Sequence, residues 1–445
     1  MRGGGDYLKE KNLIIGGFML DQVLAIINTV VIVLVSIVLF FQTAYFFAFP
    51  FKYKKFNEAK VKHKYAVVIC AHNEDKVIGN LLDSLNKQDY PKELFDVFVV
   101  CHNCTDNTKD IALKYGANVF EYNDSVVAHA KKGYALKYAF DKLLTDEFDH
   151  EGYLLFDADN LAAKDFISKM NNAFDSGENV LQGFRNSKNL EDNCISEANG
   201  IFHLRDSSFN NKARTLIHSS VLVNGTGFMF RREVIEKNGG WSALSLTEDA
   251  EFSIQFILNG YSCKLVEDAE FYDEQPTKFF ASLNRQARIG RGAFTCFFRY
   301  GHKLFWNFLK TFKFKYLDAF LNFMYAPISV ITMLWFPAYY TYIPVKMLIN
   351  GQNAELQAFL IMVLEMVVLA IILPVTIQNV VAYIQNRKRL NIKSVWKTIG
   401  GLLFFPIYNL FYALAITIGI FTPKFKWKHV DHNSKYKIED MKVND

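Results

Sequence analysis

The sequence predicts an α/β domain with a mostly parallel sheet, attached to transmembrane and interfacial helices. Short apolar runs alternate with amphipathic segments between residues 65 and 300, which is the pattern of a sheet covered by helices. Long apolar runs lie on both sides of that region, and 51% of the 445 residues are hydrophobic while only 21% are charged. This composition excludes a disordered chain, and a net charge of +5 is too small to indicate a nucleic-acid-binding protein.

The first half of the α/β region contains three runs with the β-branched and aromatic composition of buried strands: Tyr65–Cys70, Asp96–Cys101 and Tyr153–Phe156. Three amphipathic segments separate or follow these runs, over residues 76–87, 107–115 and 132–144. Strands that alternate with helices in this way pair mainly in parallel, and such sheets bind ligands at the carboxyl ends of their strands. We therefore expect the functional residues at those strand ends.

The N-terminal part of the chain predicts one transmembrane helix. After a short segment, residues 1–21, residues 22–50 form an apolar run that is longer than the roughly 20 residues needed to cross a bilayer. A cluster of lysines follows between residues 52 and 64. Because positive charge accumulates on the cytoplasmic side of a membrane, this cluster places the next segment in the cytosol and the N-terminus outside.

The middle of the chain is expected to form a cytosolic domain, residues 51–300, followed by an interfacial helix, residues 301–316. At the end of the domain Leu304, Phe308 and Phe312 fall on one helical face, with Lys303 and Lys310 on the opposite face. A helix of this kind lies in the plane of the membrane surface.

The C-terminal membrane region, residues 317–421, contains three apolar stretches: 317–345, 355–384 and 398–421. Together with the first helix, three full crossings here would return the chain to the outside. A basic tail over residues 422–445 follows the last stretch, with Lys424, Lys426 and Lys428 at its start. The sequence thus predicts a multi-pass membrane protein with a conflict in its topology. Four full crossings would place the tail outside, whereas its positive charge is typical of a cytosolic segment.

The conflict is resolved if the last apolar stretch does not cross the membrane fully. Basic residues also precede it, between Arg387 and Lys397, and its interior contains Pro406 and Asn409. We expect residues 398–421 not to cross fully but to form a re-entrant or interfacial segment.

Two carboxylates directly follow the third predicted strand. Asp157 and Asp159 are separated by one residue, and carboxylate oxygens are the ligands that Mg²⁺ or Mn²⁺ prefers. A divalent cation at such a strand end neutralises a departing nucleotide diphosphate. The pair taken alone is more typical of a solvated turn after a strand, so the metal site depends on the context of the pair.

A second acidic segment, Thr247-Glu248-Asp249, precedes a helical pattern. Thr is a good N-cap, and acidic residues in the first turn complement the helix dipole. The same position keeps Asp249 ionised and able to take a proton from an acceptor hydroxyl. Both interpretations stay open at this point.

Three arginines, Arg285, Arg288 and Arg291, recur at every third residue near the end of the domain. This spacing places them along one side of a helix, where they could hold phosphates or lipid headgroups.

The order and spacing of these segments resemble the motifs of membrane-integrated family 2 glycosyltransferases, the group that contains bacterial hyaluronan, cellulose and poly-N-acetylglucosamine synthases. The matching segments cover about residues 65–300, with one more in the tail: Val68–Glu74, Asn103–Asp106, Lys132–Leu136, Asp157–Asp159, Asn224–Phe228, Gly239–Trp241, Thr247–Asp249 and Trp427-Lys428.

The resemblance implies a GT-A-type nucleotide-sugar-binding domain that uses Mg²⁺ or Mn²⁺, held by Asp157 and Asp159. It implies an inverting reaction in which Asp249, assisted by Glu248, is the catalytic base and Arg288 stabilises the departing diphosphate. The resemblance also implies that the donor is a UDP-sugar. The residues implied to contact it are Ala71, Asn73, Glu74, His102, Asp106, Lys132, Gly133, Asp157 and Arg291.

Two departures from the family pattern bear on function. The second strand usually ends in two acidic residues, and here Cys101 and His102 occupy those positions, so a histidine must supply any contact to the base or ribose. The Gln-x-x-Arg-Trp motif of processive synthases appears here as Arg285-Gln286-Ala287-Arg288-Ile289. Ile289 cannot stack on a sugar as Trp does, which puts processivity in doubt.

Three functions follow from these observations. The chain is expected to transfer a sugar from a nucleotide-diphosphate sugar to a growing polysaccharide or a glycolipid acceptor at the membrane. The first alternative is a non-processive enzyme that adds one sugar to a lipid-linked acceptor, favoured by Ile289. The second is an inactive subunit that scaffolds an export complex, which His102 motivates but the intact Asp157, Asp159 and Asp249 oppose.

Overall fold

The structure is a computed structural model that describes residues 4–53, 55–126, 131–390, 394–422 and 436–441. Most of the predicted basic tail, including Lys424, Lys426 and the Trp427-Lys428 pair, lies outside the described residues.

The described residues form an eight-stranded sheet in the order β3-β2-β1-β4-β7-β6-β8-β5. Its strands are β1 Tyr65–Ala71, β2 Phe95–His102, β3 Asn118–Tyr122, β4 Gly152–Asp157, β5 Leu161–Ala162, β6 Val180–Ser187, β7 Phe228–Arg231 and β8 Cys263–Asp273. β1, β2, β3 and β4 pair in parallel, as do β6 and β8, whereas β7 runs antiparallel to β4 and β6, and β5 runs antiparallel to β8. The predicted mostly parallel sheet and its three predicted strands are confirmed.

Parallel pairing brings the carboxyl ends of three strands to one edge of the sheet. In the register Cys70 of β1 faces Asp157 of β4, and Ala71 faces Cys101 of β2. The side chains that follow β1, β2 and β4 therefore meet although they are far apart in sequence.

The helices of the described residues are α1 Gly4–Ala44, α2 Ile78–Asn86, α3 Thr108–Lys114, α4 Lys132–Leu143, α5 Phe166–Asp175, α6 Cys194–Arg205, α7 Lys212–Leu216, α8 Arg232–Lys237, α9 Glu248–Leu258, α10 Phe279–Thr311, α11 Phe314–Ile349, α12 Asn353–Val367, α13 Leu373–Asn386 and α14 Val395–Phe421. A π-helical turn, Asp206–Asn211, joins α6 to α7, and another, Val368–Ile372, joins α12 to α13. Helices α2, α3 and α4 fall within the three predicted amphipathic segments.

The core of the domain lies on both faces of the sheet. On one face α4 and α9 cover it, with Phe140, Phe230, Trp241 and Phe252 in contact. On the other face α2 and α5 pack against the alternate residues of the same strands. Because both faces are covered, the strands are nearly continuous apolar runs, which is why they could be recognised in the sequence.

Helix α10 differs from the expected domain boundary at residue 300. Residues 279–311 form one helix, so the predicted interfacial segment, 301–316, is not a separate element. The change in composition near residue 301 marks a change in surroundings along a continuous helix. Beyond it the aromatic side chains of Phe305, Trp306 and Phe312 are exposed, as expected for a helix at a membrane surface.

In the part of the chain that the structure describes, four helices are long and apolar enough to cross a membrane: Met19–Ala48, Phe314–Ile349, Asn353–Asn386 and Trp396–Phe421. They coincide with the four predicted apolar stretches. The predicted interruption at Pro406 and Asn409 is absent, because α14 continues as a helix through both residues. The length of α14 is therefore sufficient to cross a bilayer, and whether it crosses depends on its contacts with the catalytic domain.

Candidate active site

A cavity of about 1150 Å³ opens at the carboxyl ends of β1, β2 and β4. The side of the cavity near the sheet is lined by Ala71, His72, Glu74, His102, Lys132, Asp157 and Asp159. The cavity continues past Glu248, Asp249, Arg285 and Arg288 to side chains of α11 and α14. Most of the predicted site residues therefore line the same space.

The Asp157–Asp159 segment is a rigid turn and not a freely solvated one. The backbone N–H of Asp157 donates to Thr226 Oγ1 at 2.9 Å, and Asn160 Nδ2 donates to carboxylates of Asp159 (3.2 Å) and Asp273 (3.0 Å). Asp159 is 8% exposed. The turn is therefore built to hold its carboxylates in place, beyond what a surface turn requires.

Lys132 links three of the predicted motifs. Its Nζ donates to Asp157 Oδ1 at 2.5 Å and to the carbonyl oxygen of Gly225 at 2.7 Å, and lies 4.0 Å from Glu248 Oε1. Burial lowers the pKa of Lys132, but the charges of Asp157 and Glu248 outweigh burial and raise it overall. The ammonium group is therefore charged and joins the metal motif, the Gly225 loop and the start of α9.

The excess of negative charge at the strand ends suits a divalent cation. Burial and the nearby carboxylates of Asp159 and Asp157 raise the pKa of Glu74 to about 9. Within the described residues no group of three or more His, Cys, Asp or Glu side chains is arranged to hold a metal ion. Mg²⁺ and Mn²⁺ sites of nucleotide enzymes often use one or two carboxylates and complete their coordination with phosphate oxygens and water. The Asp157–Asp159 pair fits that kind of site.

Asp249 lies in the first turn of α9, with its carboxylate against the Gly225 loop. Its Oδ1 accepts a hydrogen bond from the N–H of Ala250 at 2.8 Å. A Cβ atom at Gly225 would lie 3.0 Å from Asp249 Oδ2, and Gly225 has a φ of +77°. Glycine is therefore needed both for the backbone conformation and for this close approach.

The first two acidic residues of α9, Glu248 and Asp249, are less acidic than usual. Burial raises the pKa of Asp249, and burial together with the charge of Asp249 raises the pKa of Glu248 to about 7. Lys132 and Arg288 oppose both shifts. Thr247, the expected N-cap, makes no side-chain hydrogen bond to the helix. Helix capping alone therefore does not account for this segment.

The three arginines of α10 face different surroundings. Arg285 points to Asp273 (3.9 Å) and Gln275 (3.4 Å), while Arg288 lines the cavity and has no hydrogen bond or ion pair to another described residue. Arg291 Nη1 donates to the carbonyl oxygen of Gly419 at 3.5 Å, and Arg291 is not among the lining residues. The structure thus places Arg288, but not Arg291, where it could meet a phosphate.

His102 occupies the predicted nucleotide side of the cavity. Burial lowers its pKa, so the ring is neutral near pH 7. Its Nε2 is buried and has no hydrogen-bond partner among the described residues, while its ring lies 5.0 Å from that of Tyr122. A neutral imidazole with a free nitrogen can hydrogen-bond a base or a ribose.

Three predicted donor-binding residues have structural contacts and do not line the cavity. Asn73 Oδ1 accepts from the N–H of Thr105 at 2.8 Å, and Asp106 accepts from the N–H groups of Asp75 (3.0 Å) and Thr108 (3.1 Å). Both hold the loops after β1 and β2 together. Gly133 allows close packing, since a Cβ atom there would lie 2.5 Å from the carbonyl oxygen of Ala243.

The half of the cavity near the membrane helices was not predicted. Its lining includes Tyr45, Phe202, Arg205, Asp206, Tyr325 and Tyr412. These residues come from the short 3₁₀ turn that follows α1, from α6 and the following π-helical turn, and from α11 and α14. No local pattern marks them, because they meet only when the membrane helices pack against the domain.

The comparisons with known proteins agree with this geometry. The model of the "glycosyltransferase like family 2" matches residues 63–292, which is just over half of the chain. The chain is 26% identical over 239 residues to a probable glycosyltransferase, YdaM, of Bacillus subtilis, covering 52% of this chain and 55% of that protein. It is 24% identical over 240 residues to the beta-monoglucosyldiacylglycerol synthase of a Synechocystis species, covering 53% of this chain and 48% of that protein.

The matched region spans about half the length of these curated relatives. Among solved structures, the mannosyltransferase PcManGT from Pyrobaculum calidifontis, in complex with GDP-Man and Mn²⁺, is similar with a TM-score of 0.54 and 14% identity. The similarity covers 88% of this chain and 98% of that protein. At this identity the likeness shows the fold, which is the predicted GT-A fold. Since the family model covers more than half of the chain and its motifs converge on one cavity, this chain belongs to glycosyltransferase-like family 2.

Proposed function

We propose that this chain is an inverting glycosyltransferase that moves one sugar from a nucleotide-diphosphate sugar to a hydroxyl group of a lipid acceptor. The observation that carries the proposal is the continuity of the cavity. It joins the carboxylates at the strand ends to side chains of α11 and α14, the helices with membrane-spanning length. A donor from the cytosol and an acceptor from the membrane can therefore meet at Asp249.

The nucleotide sugar binds at the side of the cavity near the sheet. His102 lines this side of the cavity and is the proposed contact to the base or ribose, and Ala71 and Glu74 lie at the end of β1 beside it. Asp157 and Asp159 would hold Mg²⁺ or Mn²⁺, which neutralises the charge that develops on the diphosphate. The neighbouring guanidinium of Arg288 has no partner of its own in the described residues and stabilises the same charge.

The transfer step needs a base on the side of the sugar opposite the diphosphate. Asp249 accepts the proton of the acceptor hydroxyl as its oxygen attacks the anomeric carbon, and the bond from that carbon to the diphosphate oxygen breaks. The electron pair leaves with the nucleoside diphosphate, so the anomeric configuration inverts. A raised pKa makes Asp249 a stronger base than a free carboxylate.

The lipid acceptor is favoured over a growing polymer by two observations. Ile289 lines the cavity at the position where processive synthases have a sugar-stacking Trp. The Synechocystis relative is named as a synthase of a glucosylated diacylglycerol. We extend sugar transfer to a lipid, but not the identity of that lipid, to this chain. The chain is then a multi-pass cell-membrane protein whose catalytic domain faces the cytosol and whose partners are a nucleotide sugar, a lipid acceptor and membrane lipids.

A mass measurement tests this function. Purified protein in lipid nanodiscs is incubated with separate UDP- and GDP-sugars and Mn²⁺, and the lipid fraction is weighed by mass spectrometry. We expect a lipid whose mass has increased by one sugar residue with one of the donors. Release of the nucleotide without a glycosylated lipid would contradict the lipid acceptor. Neither release nor transfer with any donor would favour the inactive scaffold subunit.

A processive polysaccharide synthase is the second candidate. It is favoured by aromatic rings in the membrane-side half of the cavity, where Phe202, Tyr325 and Tyr412 could stack on a nascent chain in place of residue 289. Phe294 and Phe298, which are nearer to Ile289 in sequence, pack on each other 4.7 Å apart and do not line the cavity. Long polymer made by the wild type, with no change in length in Ile289→Trp, would decide for this candidate.

A further inference from the structure

Arg205 places a positive charge in the membrane-side half of the cavity. It is the last residue of α6 and lines the cavity. The centre of its guanidinium lies 5.9 Å from the ring of Phe202 and 5.4 Å from the ring of Phe405, which is fully buried in α14. The charge is therefore held between two aromatic rings at the wall formed by α6 and α14.

This charge has no direct ion-pair partner in the described part of the chain, although the charge of the adjacent Asp206 stabilises the charged form of Arg205. No hydrogen bond or ion pair joins Arg205 to another described residue. The adjacent carboxylate of Asp206 accepts amide hydrogen bonds from Asn210 (3.0 Å), Asn211 (3.2 Å) and Asn224 (3.2 Å). These three neutral amides orient the carboxylate of Asp206. Its charge still acts on Arg205, but the guanidinium donors of Arg205 have no acceptor among the described residues.

A neighbouring arginine shows the contrast. Arg214 also lines the cavity, but its Nε donates to Asp318 Oδ2 at 3.0 Å and its Nη2 donates to Asn322 at 3.1 Å. Its charge is neutralised inside the protein. An arginine remains protonated under all ordinary conditions, so the charge of Arg205 persists and a partly desolvated cation favours an anionic partner.

The surroundings restrict which anion fits. The cavity wall near Arg205 is formed by Phe202, Phe323, Tyr325 and Tyr412, and the last three belong to helices with membrane-spanning length. An apolar wall beside a single cation matches an amphipathic molecule with a small anionic group. Guanidinium groups bind phosphate oxygens through paired hydrogen bonds.

We propose that Arg205 binds the phosphate group of an anionic membrane lipid and so selects a phosphate-bearing lipid as the acceptor. This inference rests on the proposed function and adds the chemical class of the acceptor. The phosphate lies against Arg205 while the hydroxyl that receives the sugar reaches Asp249. A neutral diacylglycerol leaves the cation unpaired and binds more weakly.

Lipid binding by the purified full-length protein is a direct test of the phosphate contact, since it needs no turnover. Phosphatidic acid is the probe for this contact alone, because it carries the phosphate but no acceptor hydroxyl. Native mass spectrometry counts bound lipid after addition of phosphatidic acid or of diacylglycerol with the same acyl chains. We expect the wild type to bind one phosphatidic acid about 10- to 100-fold more tightly than diacylglycerol, the range expected for charge-assisted hydrogen bonds. Equal affinity for the two lipids would overturn the proposal without any variant.

Variants identify the residue. Arg205→Gln should lose the preference for phosphatidic acid, whereas Arg205→Lys should keep part of it because the charge remains. The control is Lys310→Gln, which removes an exposed charge of α10 and should leave the preference unchanged. An unchanged preference in Arg205→Gln, or an equal loss in Lys310→Gln, would overturn the assignment. Folding is checked by nucleotide binding at the opposite end of the cavity.

Two further measurements separate a lipid phosphate from a soluble phosphate, and failure of this inference from failure of the proposed function. Soluble glycerol phosphate should not compete with phosphatidic acid at equal concentration, and competition at equal affinity would overturn the lipid assignment. If sugar transfer occurs but the KM for the lipid is the same in Arg205→Gln and the wild type, the inference fails and the proposed function stands. If no sugar reaches any lipid while the binding preference is present, the proposed function fails and the lipid site stands.

Discussion

At the scale of single residues, the proposed mechanism assigns proton transfer to Asp249 and charge balance to Lys132. Asp249 touches the loop that faces the acceptor, through its approach to Gly225. Lys132 contacts the metal motif at Asp157 and the same loop at the carbonyl oxygen of Gly225. A change at either residue should therefore alter the reaction in a different, measurable way.

Replacement of Asp249 by Asn should remove transfer and leave the rest of the site intact. The amide has nearly the same shape and can still accept the hydrogen bond from the N–H of Ala250, which is 2.8 Å long. Loss of a general base should lower kcat by about 10²- to 10⁴-fold. Turnover is measured with the active donor, and nucleotide binding serves as the control. Unchanged turnover would exclude Asp249 as the base.

The reaction should slow as the pH falls, and at a higher pH than an ordinary carboxylate base would give. A base acts only when it is deprotonated, and burial raises the pKa of Asp249 and, together with the charge of Asp249, that of the neighbouring Glu248. We expect full activity above the raised pKa of Asp249, and an acid limb that lies above the pKa of about 4 of a free carboxylate. Lys132→Met removes a charge that lowers both pKa values, so it should move the limb of kcat to higher pH. A limb near pH 4 would show that neither buried carboxylate is the base.

At the scale of elements, the contact between α10 and α14 positions the arginine that faces the cavity. The two helices approach through glycines: a Cβ atom at Gly290 would lie 2.5 Å from Ile416, and one at Gly419 would lie 2.2 Å from the carbonyl oxygen of Ala287. The second contact is with backbone, which cannot move aside. Arg288 follows Ala287, so the spacing of the helices and the position of its guanidinium are coupled.

Gly419→Ala should therefore weaken this contact, while Gly400→Ala in the same helix should not. The added methyl group at residue 419 meets the backbone of α10, whereas nothing lies within 4 Å of a Cβ atom at Gly400. We expect Gly419→Ala to lower the melting temperature and kcat. Gly400→Ala should be neutral or stabilise α14 by up to about 1 kcal/mol through helix propensity. Scanning fluorimetry measures the melting temperature of both variants, and a turnover assay measures their kcat. The same melting temperature and kcat in the two variants would contradict the packing of α14 on α10.

At the scale of the whole molecule, both ends of α14 contact the catalytic domain. At its start the N–H of Ser394 donates to Glu191 Oε1 at 2.8 Å, just before α6. At its end Arg291 of α10 bonds the carbonyl oxygen of Gly419. The side chains exposed on its outer face repeat every three or four residues: Trp396, Ile399, Leu403, Ile407, Leu410, Leu414, Ile418 and Phe421. This pattern is typical of a helix that lies on the domain with one face in lipid.

Labelling should accordingly find one cytosolic side for three widely spaced positions. Cysteines introduced at Lys62, Arg389 and Glu439 should all react with a reagent that reaches only the cytosolic face, because Glu439 pairs with Lys87 of the domain. A chain that crosses the membrane three times then agrees with the distribution of positive charge in the sequence. Reaction of the Glu439 position from outside would make α14 a crossing helix.

The sequence predicted the parts of the site that are carried by local patterns. The strands β1, β2 and β4 are buried on both faces, so their apolar runs and the polar residues that follow them could be recognised, including Asp157. The arginine spacing was less informative, because residues six apart on a helix differ by about 120° in direction. Arg285 therefore reaches the cavity while Arg291 reaches α14.

The membrane-side half of the cavity could not be predicted for a different reason. Tyr45, Arg205, Tyr325 and Tyr412 are up to several hundred residues apart and meet only through the packing of α1, α11 and α14 on the domain. Likewise, the continuous helix α10 hides the expected boundary at residue 300, because a change of environment along a helix does not interrupt its hydrogen bonds. Tertiary packing decided both features.

The stereochemistry of the first product tests the central claim, that the cavity passes a sugar from a nucleotide donor to a membrane lipid by a single displacement. Wild-type protein in nanodiscs is supplied with its nucleotide sugar labelled with ¹³C, and the lipid fraction is examined by NMR. The proposed mechanism predicts one labelled sugar on a lipid, with the anomeric configuration opposite to that of the donor. A lipid-bound sugar that keeps the donor's configuration, or label found only in free sugar, would contradict it.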